Sequence, residues 1–203
     1  AEGRVSLRGR RMLIFDAAAT GAMRQQLIET LGEGIARGLL MRWGYQNGFE
    51  DARALGEEFQ WESEREWMAS GPMMHMWEGI VAVETLELRF DRASGTFYMR
   101  GIWRNSYEAE QHLIAFGRST QSVCWTLSGY ASGWCSGFMG TRVVAVETAC
   151  VGCGDPECRF EIRPQAEWGE EARNWVQALE RENPIRLLEE RIEEKRRALR
   201  EKA

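Results

Sequence analysis

Histidine is almost missing from this 203-residue chain, which holds two, His75 and His112. Catalytic zinc sites usually enlist histidine and keep one coordination position open, so this scarcity turns any metal reading toward a closed, structural site. Long apolar runs are missing too. The longest, such as residues 38–41 and 80–83, fall far short of the ~20 residues that cross a bilayer. No charged-then-apolar leader opens the chain, so a cytoplasmic protein without membrane contact is expected. Basic charge is outweighed, with 26 Lys and Arg against 31 Asp and Glu and a net charge of -5. Phosphate-tracking surfaces need clustered Lys and Arg, so direct nucleic-acid binding by this segment is not expected. A glycine-rich dinucleotide fingerprint, a nucleophile beside a base and an open histidine-built metal site are also absent, which argues against an enzyme.

What the chain does have is apolar material, cysteine in one place, and tryptophan. Hydrophobic residues make up 44% of the sequence, enough for a sizeable core in one extended domain. Its five cysteines all lie between Cys124 and Cys158. Disulfide staples would be spread along the chain, whereas this clustering reads as metal binding in a reducing compartment. The nine tryptophans serve a core or, as the sharper reading, line a pocket.

Periodicity places the elements. Residues 11–15 read as an N-terminal strand and Asp16 as a helix N-cap. Met23, Leu27, Leu31, Ile35 and Leu39 recur every four positions, which predicts one long helix over 17–43, ended by Gly44 and Asn47-Gly48. Further helices are expected over 49–55 and 62–70, the latter stopped by Gly71-Pro72. Alternation from Ile80 to Phe90, a turn at 91–95, and Phe97, Met99 and Trp103 beyond it predict a β-hairpin. Asn105-Ser106 caps a helix over 107–116, and another is expected over 119–140. Residues 143–149 and 159–163 read as a second hairpin carrying the cysteine loop. Charged helices follow over 167–181 and from Pro184 onward, where Ile185, Leu188, Ile192 and Leu199 keep a heptad-like seam with Lys195 at the remaining core position. A solvated amphipathic helix fits that last stretch equally well. It lacks a C-cap and runs to Ala203, so more protein is expected downstream.

Cys150, Cys153 and Cys158 form a C-x2-C-x4-C run, with Glu147 before it and Cys124 on the preceding helix. Zinc needs four donors in a tetrahedron, and the glycine-rich loop from Val151 to Pro156 lets the chain wrap an ion. Spacing leaves the set open: three loop cysteines plus Cys124, or Glu147 in place of Cys153. Cys135 reads as packing. A nucleic-acid finger ranks lowest, because the loop from Val151 to Glu157 holds no Lys or Arg. His75, in an apolar stretch, and Trp103, at the end of a strand, are even choices between core and ligand contact.

The sequence resembles the N-terminal sensory domains of phenol- and xylene-responsive sigma-54-dependent activators, which include a 4-vinyl-reductase-type module. The resemblance spans nearly the whole chain. It is carried by Arg11-Met12-Leu13, Gln26-Leu27-Ile28-Glu29-Thr30-Leu31-Gly32, Gly71-Pro72 with His75, Glu78-Gly79-Ile80-Val81, Ile102-Trp103 with Asn105-Ser106, Glu108-Ala109-Glu110, Val123-Cys124-Trp125, Gly129-Tyr130-Ala131 and the loop from Glu147 to Cys158.

The resemblance implies a homodimeric sensor whose buried aromatic effector relieves repression of a downstream ATPase domain, itself followed by a DNA-binding domain, both absent here. It implies a structural zinc on Cys124, Glu147, Cys150 and Cys158, with Cys153 a bystander. It also implies a phenol hydroxyl held by His75 and Trp103. Leaving those two groups unpaired in a dry pocket costs about 1–3 kcal/mol each, which favours hydroxylated aromatics over bare hydrocarbons. Narrow phenol sensors carry bulky aromatics where this sequence has Gly101 and Ala145, so a larger effector such as 2-hydroxybiphenyl is expected. Met68, Trp134 and Phe97 are further lining candidates. The expected fold is α+β, an antiparallel β-sheet flanked by α-helices, with a zinc-binding hairpin loop and C-terminal linker helices. The expected division is 1–60 as an N-terminal strand and helical dimerisation region, 61–166 as the aromatic-binding module with its zinc site, and 167–203 as linker helices that carry the signal onward. The alternative is a zinc-containing enzyme acting on aromatic compounds.

Overall fold

The carboxylate of Asp16 accepts the Ala19 amide at 2.7 Å, satisfying one of the N–H groups that a first turn leaves free. Helix α1 runs from this cap over Ala17–Leu31. The computed structural model describes residues 3–7 and 10–180, together with isolated helical positions 189, 192, 193, 196, 197 and 200. Ahead of α1 lies a small hairpin, β1 (Val5–Leu7) and β2 (Arg10–Met12). The strand expected over 11–15 is therefore shorter and starts earlier, and Leu13, Ile14 and Phe15 are exposed.

The long helix expected over 17–43 is two helices. Gly32 adopts φ 85°, open only to glycine, and α2 restarts over Glu33–Glu58. Helix α2 then runs straight through Gly44 and Gly48, which were expected to end it. The cause is its neighbour α5 (Trp125–Met139). A Cβ at Gly44 would overlap the Thr126 carbonyl and one at Gly48 the Tyr130 carbonyl, while Gly129 and Gly133 of α5 lie equally tight against Met41 and Tyr45. These glycines are a packing surface that lets two helix backbones touch. The buried face of α2 accordingly includes Ala36, Leu40, Gly44 and Gly48, and Met23 of the predicted stripe is exposed.

Helix α3 spans Glu64–Trp77 with Pro72 inside it, where a stop was expected at Ser70. Proline has no N–H, so the carbonyl four residues earlier is released. That carbonyl, on Met68, accepts the indole N–H of Trp134 at 3.2 Å. Gly71, next to it, leaves room for the Trp134 ring against the helix.

Strands β3 (Ala82–Asp91) and β4 (Thr96–Arg104) form the expected hairpin, with the turn held by Asp91 accepting the Ala93 amide at 2.9 Å. Ser106 caps α4 (Tyr107–Phe116), and Gly140 in the left-handed region closes α5, whose first residue is Trp125 rather than a position near Ser119. Strands β5 (Val143–Ala149) and β6 (Cys158–Pro164) complete an antiparallel sheet of order β3-β4-β6-β5. Edge strand β5 is covered by α5, where Ser136 and Ser132 accept the amides of Val143 and Ala145 at 3.0 and 2.8 Å. The fold is α+β, an antiparallel sheet flanked by helices. The helix expected over 167–181 is reduced to short 3-10 turns and α6 (Arg173–Leu179), which packs on α2 through Arg42 donating to the Ala178 carbonyl at 2.9 Å. The seam residues Ile185, Leu188, Lys195 and Leu199 lie outside the described residues, and Ile192 is exposed. No helix among the described residues is long and apolar enough to cross a membrane.

Candidate functional site

Helix α3, helix α5 and the sheet line a small, partly open cavity. Four of the seven predicted ligand residues line it: Met68 and His75 from α3, Trp103 from β4 and Trp134 from α5. Gly101, Ala145 and Phe97 do not. Phe97 and Ala145 are buried elsewhere in the same core, and Gly101 lies beneath the ring of Phe160. Sequence reasoning missed Tyr130, Ala131 and Cys135, which join Trp134 on one face of α5, and Phe160 of β6. The helical spacing 127, 131, 134 and 135 was the available signal.

The lining is apolar apart from His75. The residue is 5% exposed, and among the described residues neither ring nitrogen has a hydrogen-bond partner. The imidazole stands edge-on to the Tyr130 ring, centroids 3.8 Å apart. Tyr130 donates its own hydroxyl to Asp51 at 3.1 Å. Trp103 stacks on Phe160 with centroids 4.7 Å apart. An imidazole with two unused nitrogens in an apolar enclosure is the kind of buried polar group that demands a partner.

Burial pushes the pKa of His75 down from 6.5 to about 3, so the ring is neutral at physiological pH. The unfolded chain takes up a proton here below about pH 6.5, whereas the folded chain does so only near pH 3. This group's contribution to stability is therefore complete above the upper value and declines as pH falls through the window. Thermal melts between about pH 7 and pH 5 should show a shallower decline for His75→Leu than for the wild type. Equal slopes would count against a buried neutral imidazole.

A second cluster lies where α5 begins and the β5–β6 hairpin turns. Single ligand atoms of Cys124, Glu147, Cys150 and Cys158 all lie within 4.8 Å of one another, and all four residues are buried. Cys124 precedes α5, Cys158 opens β6, and a register shift between Glu147 and Ala149 sits where the glutamate turns inward. The Sγ atoms of Cys124 and Cys158 are 3.8 Å apart. Two thiolates about 2.3 Å from one zinc ion in tetrahedral directions stand about 3.8 Å apart, so the spacing fits. One Glu147 carboxylate oxygen accepts the Cys124 amide at 3.1 Å, and the other is buried without a hydrogen-bond partner among the described residues. Burial drives Cys124 and Glu147 toward their protonated forms, and hydrogen bonds from Cys124 and Cys158 draw Cys150 toward thiolate. A cation would reverse that penalty for the whole set. The cluster could hold a metal ion. Cys153 is half-buried and stands outside it.

A family model described as "Activator of aromatic catabolism" matches residues 1–91, and the V4R domain model matches 103–164. The transcriptional regulatory protein XylR of Pseudomonas putida is 34% identical over 84% of this chain, and the phenol regulator MopR of Acinetobacter guillouiae is 39% identical over 78%. The chain spans less than a third of either relative, 30% and 28% of their lengths. The crystal structure of the phenol-responsive sensory domain of the transcription activator PoxR, with phenol, superimposes with a TM-score of 0.84 at 35% identity, covering 89% of this chain and 90% of that one. This chain belongs to the aromatic-effector sensory domains of transcription activators.

Within this sensory domain the cavity draws on both matched segments, with His75 in the first and Trp103 opening the second, while the metal cluster lies wholly in the V4R segment. Sequence reasoning also missed a buried brace. The carboxylate of Glu108, fully buried, accepts the amides of Thr126 and Leu127 at 3.0 and 2.9 Å, capping α5 directly after Cys124. Arg24 of α1 pairs with it at 3.8 Å, donates to the Val123 carbonyl at 2.8 Å and lies over the Trp125 ring. Burial raises the Glu108 pKa and Arg24 offsets this. The brace ties the first helix to the metal-cluster end of α5. The charged Arg24 stood on a helix read for its apolar stripe.

Proposed function

We propose that this sensory domain takes a hydroxylated aromatic effector into the cavity, with the neutral imidazole of His75 and the indole N–H of Trp103 holding the hydroxyl. The observation that carries this reading is the pair of unpartnered ring nitrogens on His75 inside an otherwise apolar enclosure. PoxR with phenol and the phenol regulator MopR supply the chemical class. Met68 and Trp134 serve as apolar walls, since the Trp134 N–H is already committed to Met68.

The cavity is small beside ligand sites of roughly 300–1,000 Å³, so its walls have to shift to admit an effector. A one-ring phenol demands the smaller rearrangement of those walls, and a two-ring effector such as 2-hydroxybiphenyl remains the larger candidate. Phe97 and Ala145 belong to the same buried core without meeting the cavity, and Gly101 acts through the residue that covers it.

Zinc is the metal proposed for Cys124, Glu147, Cys150 and Cys158, because three thiolates and a carboxylate without an open histidine site make a closed cage. When bound it supplies a cross-link between the start of α5 and the β5–β6 hairpin. The whole protein is proposed to be a cytoplasmic, homodimeric, sigma-54-dependent activator. Its effector relieves repression of a downstream ATPase domain linked to a DNA-binding domain, with 1–60 contributing to dimerisation and residues from 167 onward carrying the signal.

Calorimetry with phenol, followed by chromatography of the recovered ligand, tests the sensor reading. One equivalent bound per chain and recovered unchanged is expected. Conversion of the ligand would point instead to an enzyme.

A further inference from the structure

We infer that Phe160 is the movable wall that sets the upper size of the effector, and that a two-ring phenol is admitted by displacement of its ring from above Gly101. The inference rests on the proposed binding site. Gly101 and Phe160 face each other as direct partners on β4 and β6. The ring of Phe160 lies over the glycine so closely that a Cβ there would stand 2.7 and 2.9 Å from its Cζ and Cε1 atoms. The space released by the missing side chain at 101 is thus filled from across the sheet, and Phe160, not Gly101, meets the cavity. On its other side Gly101 is backed by the Glu84 carbonyl, next to the register shift between Thr85 and Glu87, so strand β3 leaves no slack there. Any widening at this wall has to come from Phe160.

Two of the other aromatic walls are tied down by hydrogen bonds. Trp134 donates to Met68 and Tyr130 to Asp51. The Phe160 side chain has no polar atom and is held by its stack on Trp103, rings 20° from parallel, and by apolar contact. The second ring of a biphenyl can replace that stack in kind, because it offers Trp103 another π-face. Ring size is then selected by a residue that touches no hydroxyl, while His75 selects the hydroxyl itself.

The test is calorimetric titration of the wild type, Phe160→Ala and Phe160→Leu with phenol and with 2-hydroxybiphenyl, beside His75→Leu with phenol. Thermal melts establish which variants are folded, and Phe160→Leu retains most of the core volume should Phe160→Ala unfold. Removing the wall is expected to raise the preference for the two-ring ligand over phenol by about tenfold or more in Phe160→Ala, and in the same direction by less in Phe160→Leu. A preference within about twofold of the wild type in the folded variants, with phenol binding still dependent on His75, would overturn this inference alone. Failure of the wild type to bind either ligand, or phenol binding indifferent to His75→Leu, would overturn it together with the binding-site reading.

Discussion

Dialysis of the metal-loaded chain against a strong chelator is expected to lower its melting temperature by on the order of 10 °C. Four buried acidic donors lie within 4.8 Å of one another, and one Glu147 oxygen has no protein partner. Removing the cation leaves them to share protons or repel, and an uncompensated buried charge costs about 3–5 kcal/mol. The loss should centre on the β5–β6 turn and the first turn of α5, which the cluster joins. Cys158→Ser should reproduce most of the drop. Cys153→Ser, at a half-buried thiol outside the cluster, should leave stability within about 0.5 kcal/mol of the wild type. Scanning calorimetry with and without added zinc checks all three. A chelated protein that melts like the loaded one would remove the metal from the account.

His75→Leu is expected to separate binding from stability. The imidazole is buried with neither nitrogen partnered, a condition that costs about 1–3 kcal/mol in the free domain. An apolar side chain of similar bulk relieves that cost, so the variant should melt higher than the wild type. Its phenol affinity should fall by about 5- to 150-fold, the equivalent of the same 1–3 kcal/mol. Loss of binding alongside a gain in stability is the signature of a polar group kept for its ligand. Trp103→Phe should weaken phenol less, because it removes one N–H but keeps a ring against Phe160.

Local signals were read well from the sequence. Asp16, Ser106 and Gly140 each act on the backbone beside them, and each caps the helix it was expected to cap or close. The β3–β4 hairpin follows from alternation and turn residues in the same way, and the β5–β6 pair forms as expected around the cysteine loop. Glycine and proline misled where their role is set by distant partners. Gly32 breaks a helix and Gly44 and Gly48 do not, because Gly129 and Gly133 of α5 meet them. Pro72 stays inside α3 since the carbonyl it frees is taken by Trp134.

The site shows the same division. Cys150 and Cys158 share one hairpin, so spacing marked them, but spacing left Glu147 and Cys153 as equals. That the glutamate joins the cluster and Cys153 does not is a matter of where β5 shifts register and α5 begins. Small residues at 101 and 145 suggested open wall. In the fold the room beside Gly101 is taken by Phe160, nearly sixty positions along the chain and adjacent only through strand pairing. Arg24 was legible as a charge, but its burial against Glu108 depends on α1 packing against α4 beside the start of α5.

The central claim is that an isolated neutral imidazole in an apolar chamber recognises the hydroxyl of an aromatic ring. Paired calorimetric titrations with phenol and toluene, in the wild type and in His75→Leu, test it most directly. The account predicts a clear preference for phenol in the wild type that shrinks to about twofold or less once the imidazole is gone. The same preference in both proteins would contradict it.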